Sequence, residues 1–180
     1  QAPAGEPKGQ VIGNIVVGGI VGYANGSGSK LGSIANEQNN GRDVITNTFD
    51  VSGEQIVGGI VGELNAATVV GAINDENAIV TLLGESMNHQ YKCAGGIVGH
   101  AQRWSTLSNW GVIADCYNFG QVRFEAGSNA TYYLGGLVGY RSWTYEDGRT
   151  GVAIKDSFYL HGSGYDKVDE SQPYYRGAQV

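Results

Sequence analysis

Apolar and small residues along this chain recur in one five-residue block. Gly18-Gly19-Ile20-Val21-Gly22 returns as Gly58-Gly59-Ile60-Val61-Gly62 and as Gly95-Gly96-Ile97-Val98-Gly99. A fourth copy, Gly135-Gly136-Leu137-Val138-Gly139, differs at one position. The offsets between copies are 40, 37 and 40 residues. A fixed period of about 20–50 residues marks a solenoid, a propeller or an array of repeats. Each block opens a unit that reads as about three short strands rich in Val, Ile and Thr, separated by Gly/Asn turns. The first unit holds Val11 to Gly22, a strand opening at Ile34, and Val44 to Val51. The second holds Gln55 to Leu64, Thr68 to Ile73 and Ala78 to Leu83. The third runs from Ile97-Val98 through Val112 to Tyr117 and on to Val122-Arg123-Phe124; the fourth holds Tyr132 to Tyr140 and Val152 to Tyr159. No stretch keeps a 3.6-residue apolar period, so few helices are expected.

Two repetitive architectures accommodate such units: a parallel β-helix with one repeat per coil, and a propeller with one repeat per blade. The register favours the β-helix. Ile20, Ile60, Ile97 and Leu137 fall at equivalent places, as do Val21, Val61, Val98 and Val138. Parallel coils stack such residues into ladders about 4.8 Å apart. Glycine at fixed positions suits a bend or a close approach between coils, where a side chain would collide. A propeller blade usually needs a fourth strand, and the first two units show none. The expected fold is therefore an all-β, right-handed parallel β-helix-like solenoid of about four coils with inserted loops. Residues 1–10 form an extended lead-in, 11–164 the solenoid domain, and 165–180 a tail or cap. The structural glycines of the repeat are Gly18, Gly22, Gly58, Gly62, Gly95, Gly99, Gly135 and Gly139.

The third unit carries a more specific pattern. Its pentad is followed by Ile113-Ala114-Asp115-Cys116-Tyr117-Asn118-Phe119-Gly120-Gln121-Val122. This resembles the GLUG repeat of bacterial surface proteins, which reads GG-[IL]-VG, a variable loop, then I-x-[ND]-C-Y-x-x-G-x-V. The fourth unit is similar through Ile154-Lys155-Asp156-Ser157-Phe158-Tyr159. The first keeps Ile34 and Asn36 but has Glu37-Gln38 in place of Cys-Tyr, and the second aligns loosely from Val70 to Ile79. The likeness covers about residues 14–164. It implies a β-helix-like fold and an extracellular binding or structural role, as in adhesin-like proteins and non-catalytic parts of surface peptidases. It carries over no catalytic residues.

Composition narrows the function classes. The chain has 180 residues, 30 of them glycine, and 41% are hydrophobic. Glycine is more than twice its usual share of about 7%, without the Gly-X-Y period of collagen. The net charge is −6 and only 16% of residues are charged. That speaks against a nucleic-acid binder, which presents a basic stripe, and suits a surface or secreted protein. No apolar run approaches the roughly 20 residues of a membrane helix. The chain opens on Gln1 without a visible signal peptide, as expected of a processed or trimmed product.

Candidate chemistry is sparse. Cys93 and Cys116 are too few for a disulfide scaffold and lack zinc spacing, so they read as small packed side chains, with a single disulfide left open. His89, His100 and His161 lie in different units and read as solvated turn histidines, not as metal ligands. Asn36, Asn39, Asn74-Asp75-Glu76-Asn77, Asp115, Asn118 and Asp156 cluster at turns. Such oxygens can hold calcium, but they also bond the local backbone, and that reading is preferred. Asp115 and Asp156 would stack on adjacent coils as a carboxylate pair of the kind that cleaves glycosides. Their equivalent places in the repeat favour a structural cause. Ser27, Ser29 and Ser163 sit in no nucleophile elbow, and Gly26-Ser27-Gly28-Ser29-Lys30 lacks the P-loop order.

Aromatic residues are uneven. Residues 1–90 contain only Tyr23 and Phe49, and the second half holds the other 16. Trp104, Trp110, Trp143 and Tyr145 lie in the loops inserted after the third and fourth pentads, where contact residues concentrate. Capping of the solenoid end is the competing role for the C-terminal aromatics. The expected function is a non-enzymatic cell-surface module without cofactor or metal. It would contact a host or bacterial surface protein or glycan, or other chains of a surface assembly. A carbohydrate-active β-helix and an accessory region of a larger surface assembly or surface peptidase are the alternatives.

Overall fold

The computed structural model describes residues 8–26, 28–32, 44–83, 92–102, 111–125, 132–142 and 152–160. Twenty short strands lie in these segments, arranged as four coils of five. The first coil has β1 (Gln10–Ile12), β2 (Val16–Gly18), β3 (Val21–Asn25), β4 (Lys30–Leu31) and β5 (Ile45–Asn47). The second has β6 (Asp50–Gly53), β7 (Ile56–Gly58), β8 (Val61–Asn65), β9 (Thr68–Val70) and β10 (Ala72–Asn74). The third has β11 (Ile79–Leu82), β12 (Cys93–Gly95), β13 (Val98–Gln102), β14 (Gly111–Ala114) and β15 (Tyr117–Asn118). The fourth has β16 (Gln121–Phe124), β17 (Tyr133–Gly135), β18 (Val138–Arg141), β19 (Val152–Lys155) and β20 (Phe158–Tyr159).

Every strand pairs in parallel with its counterpart in the next coil. The result is five four-stranded sheets: β1-β6-β11-β16, β2-β7-β12-β17, β3-β8-β13-β18, β4-β9-β14-β19 and β5-β10-β15-β20. This is a β-helix-like solenoid, and pairing between successive coils excludes separate propeller blades. The expected ladder is observed: Val21 pairs with Val61, Val61 with Val98, and Val98 with Val138. Ile60, Ile97 and Leu137 are buried beside them in the core, with Leu64, Val69 and Ile113. A second apolar cluster gathers Val51, Val57, Val80, Leu82, Ala94 and Val122.

Three strands per unit proves too few. Several stretches expected as single strands are divided by corners. Val11 to Gly22 holds the end of β1, β2, a corner at Gly19-Ile20 and the start of β3, and Thr68 to Ile73 holds β9, a corner at Gly71 and most of β10; Ala78 to Leu83 holds β11 alone, as expected, and the strand expected at Ile34 lies outside the described residues. The pentad is the first of these corners. Ile60 O accepts from Ile20 N at 3.1 Å and Val21 N at 3.0 Å, and Ile97 O accepts from Ile60 N and Val61 N. Leu137 O accepts likewise from Ile97 N and Val98 N. One carbonyl taking two successive N–H groups turns the chain while keeping both donors satisfied.

Candidate functional site

The second glycine of each pentad faces a side chain across the coil. An added Cβ at Gly19, Gly59 or Gly96 would strike Asn47, Asn74 or Asn118, and at Gly136 the Tyr159 ring. The three asparagines are fully buried. Asn47 Nδ2 donates to Asn74 Oδ1 at 2.9 Å, Asn74 Nδ2 to Asn118 Oδ1 at 2.9 Å, and Asn118 Nδ2 to Gly136 O at 2.8 Å. A buried amide ladder thus runs along the solenoid, and glycine makes room both for it and for the next coil, whose carbonyl would lie 2.3 Å from a Cβ at Gly19 and 2.1 Å from one at Gly59. Asn118 in the Asp-Cys-Tyr-Asn pattern is one of its rungs.

Asp115 and Asp156 have the same kind of cause. Gly71, Asp115 and Asp156 occupy one corner column with φ of 66°, 51° and 45°. Aspartate is among the few non-glycine residues that adopt this left-handed region readily. Backbone geometry therefore accounts for the pair that sequence would offer as catalytic carboxylates. Next in the chain, Cys116 Sγ contacts Ala114 O at 3.1 Å, and Ser157 Oγ donates to Lys155 O at 2.7 Å. Thiol and hydroxyl fill one repeat position in one way. Cys93 and Cys116 are free and buried, as expected of packed side chains. Burial pushes the Cys116 thiol up to about 11 and raises Cys93 further, so neither supplies a thiolate nucleophile near neutral pH. In the Asn74–Asn77 turn, Asp75 Oδ1 accepts from Asn77 N and Asn77 Nδ2, both at 2.9 Å. This is the local backbone role preferred over calcium.

The sheet β3-β8-β13-β18 is different. Leu64 and Ala101 enter the core, so their neighbours in β8 and β13 alternate to the outer face. One outer column reads Tyr23, Glu63, His100, Tyr140; the next contains Asn25, Asn65 and Gln102, with Ser142 following β18. Polar contacts cross the coils here. Asn65 Nδ2 donates to Asn25 Oδ1 at 3.0 Å, Gln102 Nε2 donates to Glu63 Oε1, and His100 Nε2 shares a 2.7 Å bond with Ser142 Oγ. The His100 and Tyr140 rings lie 5.5 Å apart, and Tyr140 lies 4.6 Å from Tyr133.

His100 is not a solvated turn residue, as its sequence context suggested. It sits within β13 and is only 4% exposed. Burial lowers its pKa to about 4, so the imidazole is neutral at pH 7 and a weak base. That basicity lies well below the range near the working pH that suits a general base, and the bond to Ser142 serves to satisfy two polar groups. Of the other expected residues, Trp104, Trp110, Trp143 and Tyr145 lie outside the described residues, as do His89, His161, Ser27, Ser163, Asn36 and Asn39. Chain order places the loops of Trp104 and Trp143 immediately after β13 and β18, the two C-terminal strands of this sheet. A further aromatic group decorates the sheet β5-β10-β15-β20. Tyr117 stacks with Phe119 and Phe158 at ring distances of 6.2 Å and 6.0 Å, and Phe158 is 62% exposed.

Sequence reasoning missed the outer column of Tyr23, Glu63, His100 and Tyr140. Its signal was present: these residues each immediately follow a pentad, and they differ where the pentads agree. Among the described residues no group of three or more His, Cys, Asp and Glu side chains is placed to hold a metal ion. No helix among them is long and apolar enough to cross a membrane. Comparison with protein-family models, curated proteins and solved structures returns no match.

Proposed function

We propose that this chain is a non-enzymatic β-solenoid module of the GLUG-repeat type, displayed at a bacterial cell surface, that contacts a partner protein or glycan. The supporting observation is the divergence of one column within a regular stack. Pentad corners, asparagine ladder and left-handed corners repeat because the backbone requires them. Tyr23, Glu63, His100 and Tyr140 occupy equivalent outer positions that impose no common side chain. Tyr23 is exposed and Glu63 and Tyr140 are half-buried, while His100 is buried between them; the tyrosines and the carboxylate offer stacking faces and hydrogen-bond groups, the chemistry enriched in contact sites. Trp104 and Trp143 follow β13 and β18 of this sheet in the chain.

The test is a glycan array run beside a panel of surface and matrix proteins, with wild type, Tyr23→Ala and the Trp104→Ala/Trp143→Ala double variant. The expected result is one class of ligand bound by the wild type and weakened at least about tenfold, the loss of roughly 1.4 kcal/mol or more, in one or both variants at unchanged melting temperature. Absence of any glycan signal from the wild type would exclude the glycan branch. Binding that neither variant alters would remove this face from consideration.

A further inference from the structure

The two ends of the solenoid are built differently. At the C-terminal end the rung residues Leu137 and Val138 are each 1% exposed. There the repeat also changes. Arg141 takes the position that Ala24, Leu64 and Ala101 hold in the preceding coils, and Tyr159 replaces the ladder asparagine. The first coil keeps the pentad and the ladder asparagine Asn47, and among the described residues its pentad rung is exposed. Ile20 is 46% exposed, whereas Ile60 and Ile97 are fully buried.

Two backbone features show what shape would cover it. The carbonyls of Ile60, Ile97 and Leu137 each accept two N–H groups from the coil before, while Ile20 O accepts none from a described residue. The third glycine of the pentad tells the same story. A Cβ at Gly62 would lie 2.6 Å from Gly22 O, at Gly99 2.7 Å from Gly62 O, and at Gly139 2.6 Å from Ala94 O. Each of those atoms belongs to the preceding coil. At Gly22 the nearest atom is Val16 O of its own coil, at 3.4 Å. Glycine is thus present at 22 without the close approach that requires it elsewhere.

We propose that the first coil is a stacking face that receives one further parallel coil of the same pentad repeat. That coil would donate two corner N–H groups to Ile20 O, bring a backbone carbonyl against Gly22 and cover Ile20 with its own Ile or Leu. The C-terminal coil of a second copy does not match, because it has buried rungs and the Arg141 and Tyr159 substitutions. An open end with apolar rungs and free strand edges is a strong template for pairing. The inference is independent of the outer contact face.

The experiment replaces residues 1–9 with a duplicate of residues 50–78, which carries the pentad of the second coil into register ahead of Gln10. Gly22→Ala and Gly62→Ala are made in both the natural and the extended chain. In the natural chain Gly22→Ala should leave the melting temperature within about 1 °C, and Gly62→Ala should lower it by roughly 5 °C or more, given the usual 2–4 °C per kcal/mol at this size. In the extended chain both should lower it. Hydrogen exchange should also show protected amides in the duplicated pentad, a readout that survives if Gly62→Ala fails to fold. Equal tolerance of Gly22→Ala in both chains, or exchange of the duplicated pentad at unfolded rates, would overturn the proposal. So would a dimer of the natural chain in sedimentation that Ile20→Lys abolishes, which would assign the face to self-association.

Discussion

Single residues in this molecule are constrained mainly by the coil above or below. Asn74 is the clearest case, because it receives one amide bond from Asn47 and gives one to Asn118 inside a buried column. Asn74→Ala removes both and leaves ladder groups without their partners. The expected loss is roughly 2–3 kcal/mol, since each buried polar group left unmatched costs about 1–3 kcal/mol, measured by urea denaturation. A loss below about 0.5 kcal/mol would mean that the ladder is decorative. Asp115 makes the opposite prediction. Its φ of 51° is what glycine adopts freely, so Asp115→Gly should stay within about 1 kcal/mol of wild type. Asp115→Val should lose about 1–2 kcal/mol, the left-handed penalty of a residue with a bulky Cβ. Similar stability in both variants would contradict the backbone explanation of this aspartate.

At the scale of one element, the sheet β3-β8-β13-β18 couples stability to pH through His100. Its folded pKa of about 4 lies below the unfolded value near 6.5 because burial disfavours the imidazolium. The unfolded state therefore binds the extra proton first. His100's contribution is intact above about pH 6.5 and is lost progressively as pH falls towards 4. A lowering of this size corresponds to a few kcal/mol, on the order of 3. Denaturation between pH 4 and 7 should show this decline, and His100→Gln should flatten it. An unchanged slope in the variant would place the acid sensitivity elsewhere. The partner of His100, Ser142, lies one coil further on, so this variant also perturbs contact between β13 and the segment after β18.

For the whole molecule, nearest-neighbour coupling is the governing property. The second and third coils are covered on both sides, and their core residues are fully buried. Among the described residues the first coil pairs with a neighbouring coil on one side. Amide exchange should therefore be fastest in β1–β5 and slowest in β6–β15, with the protection boundary falling between the first and second coils. Uniform protection across all four coils would show that the stack opens as a single unit. The aromatic weighting of the C-terminal half fits this asymmetry in part: Phe124 stacks on Tyr132 at 4.0 Å, and the Tyr133 and Tyr140 rings meet tilted at 4.6 Å.

Repetition made the fold legible in the sequence. Four copies of one pentad fix the period, and the matching Ile/Leu and Val positions fix the register that the parallel pairs display. The strand count was not legible, because a corner such as Gly19-Ile20 or Gly71 interrupts an apolar run without a polar turn signal. The close approach of coils at the second pentad glycine was legible, and an added Cβ at Gly59 would lie 2.1 Å from Gly96 O; the asparagine that also faces it was not, because Asn74 is distant in the chain. His100 could not be distinguished from a surface histidine, since its burial comes from neighbours on other coils. The sequence by itself determined period, register and parallel stacking, which follow from local repetition. The tertiary structure alone decided which equivalent positions face inward, which carry the amide ladder, and which are left outward to vary, because those depend on contacts between coils.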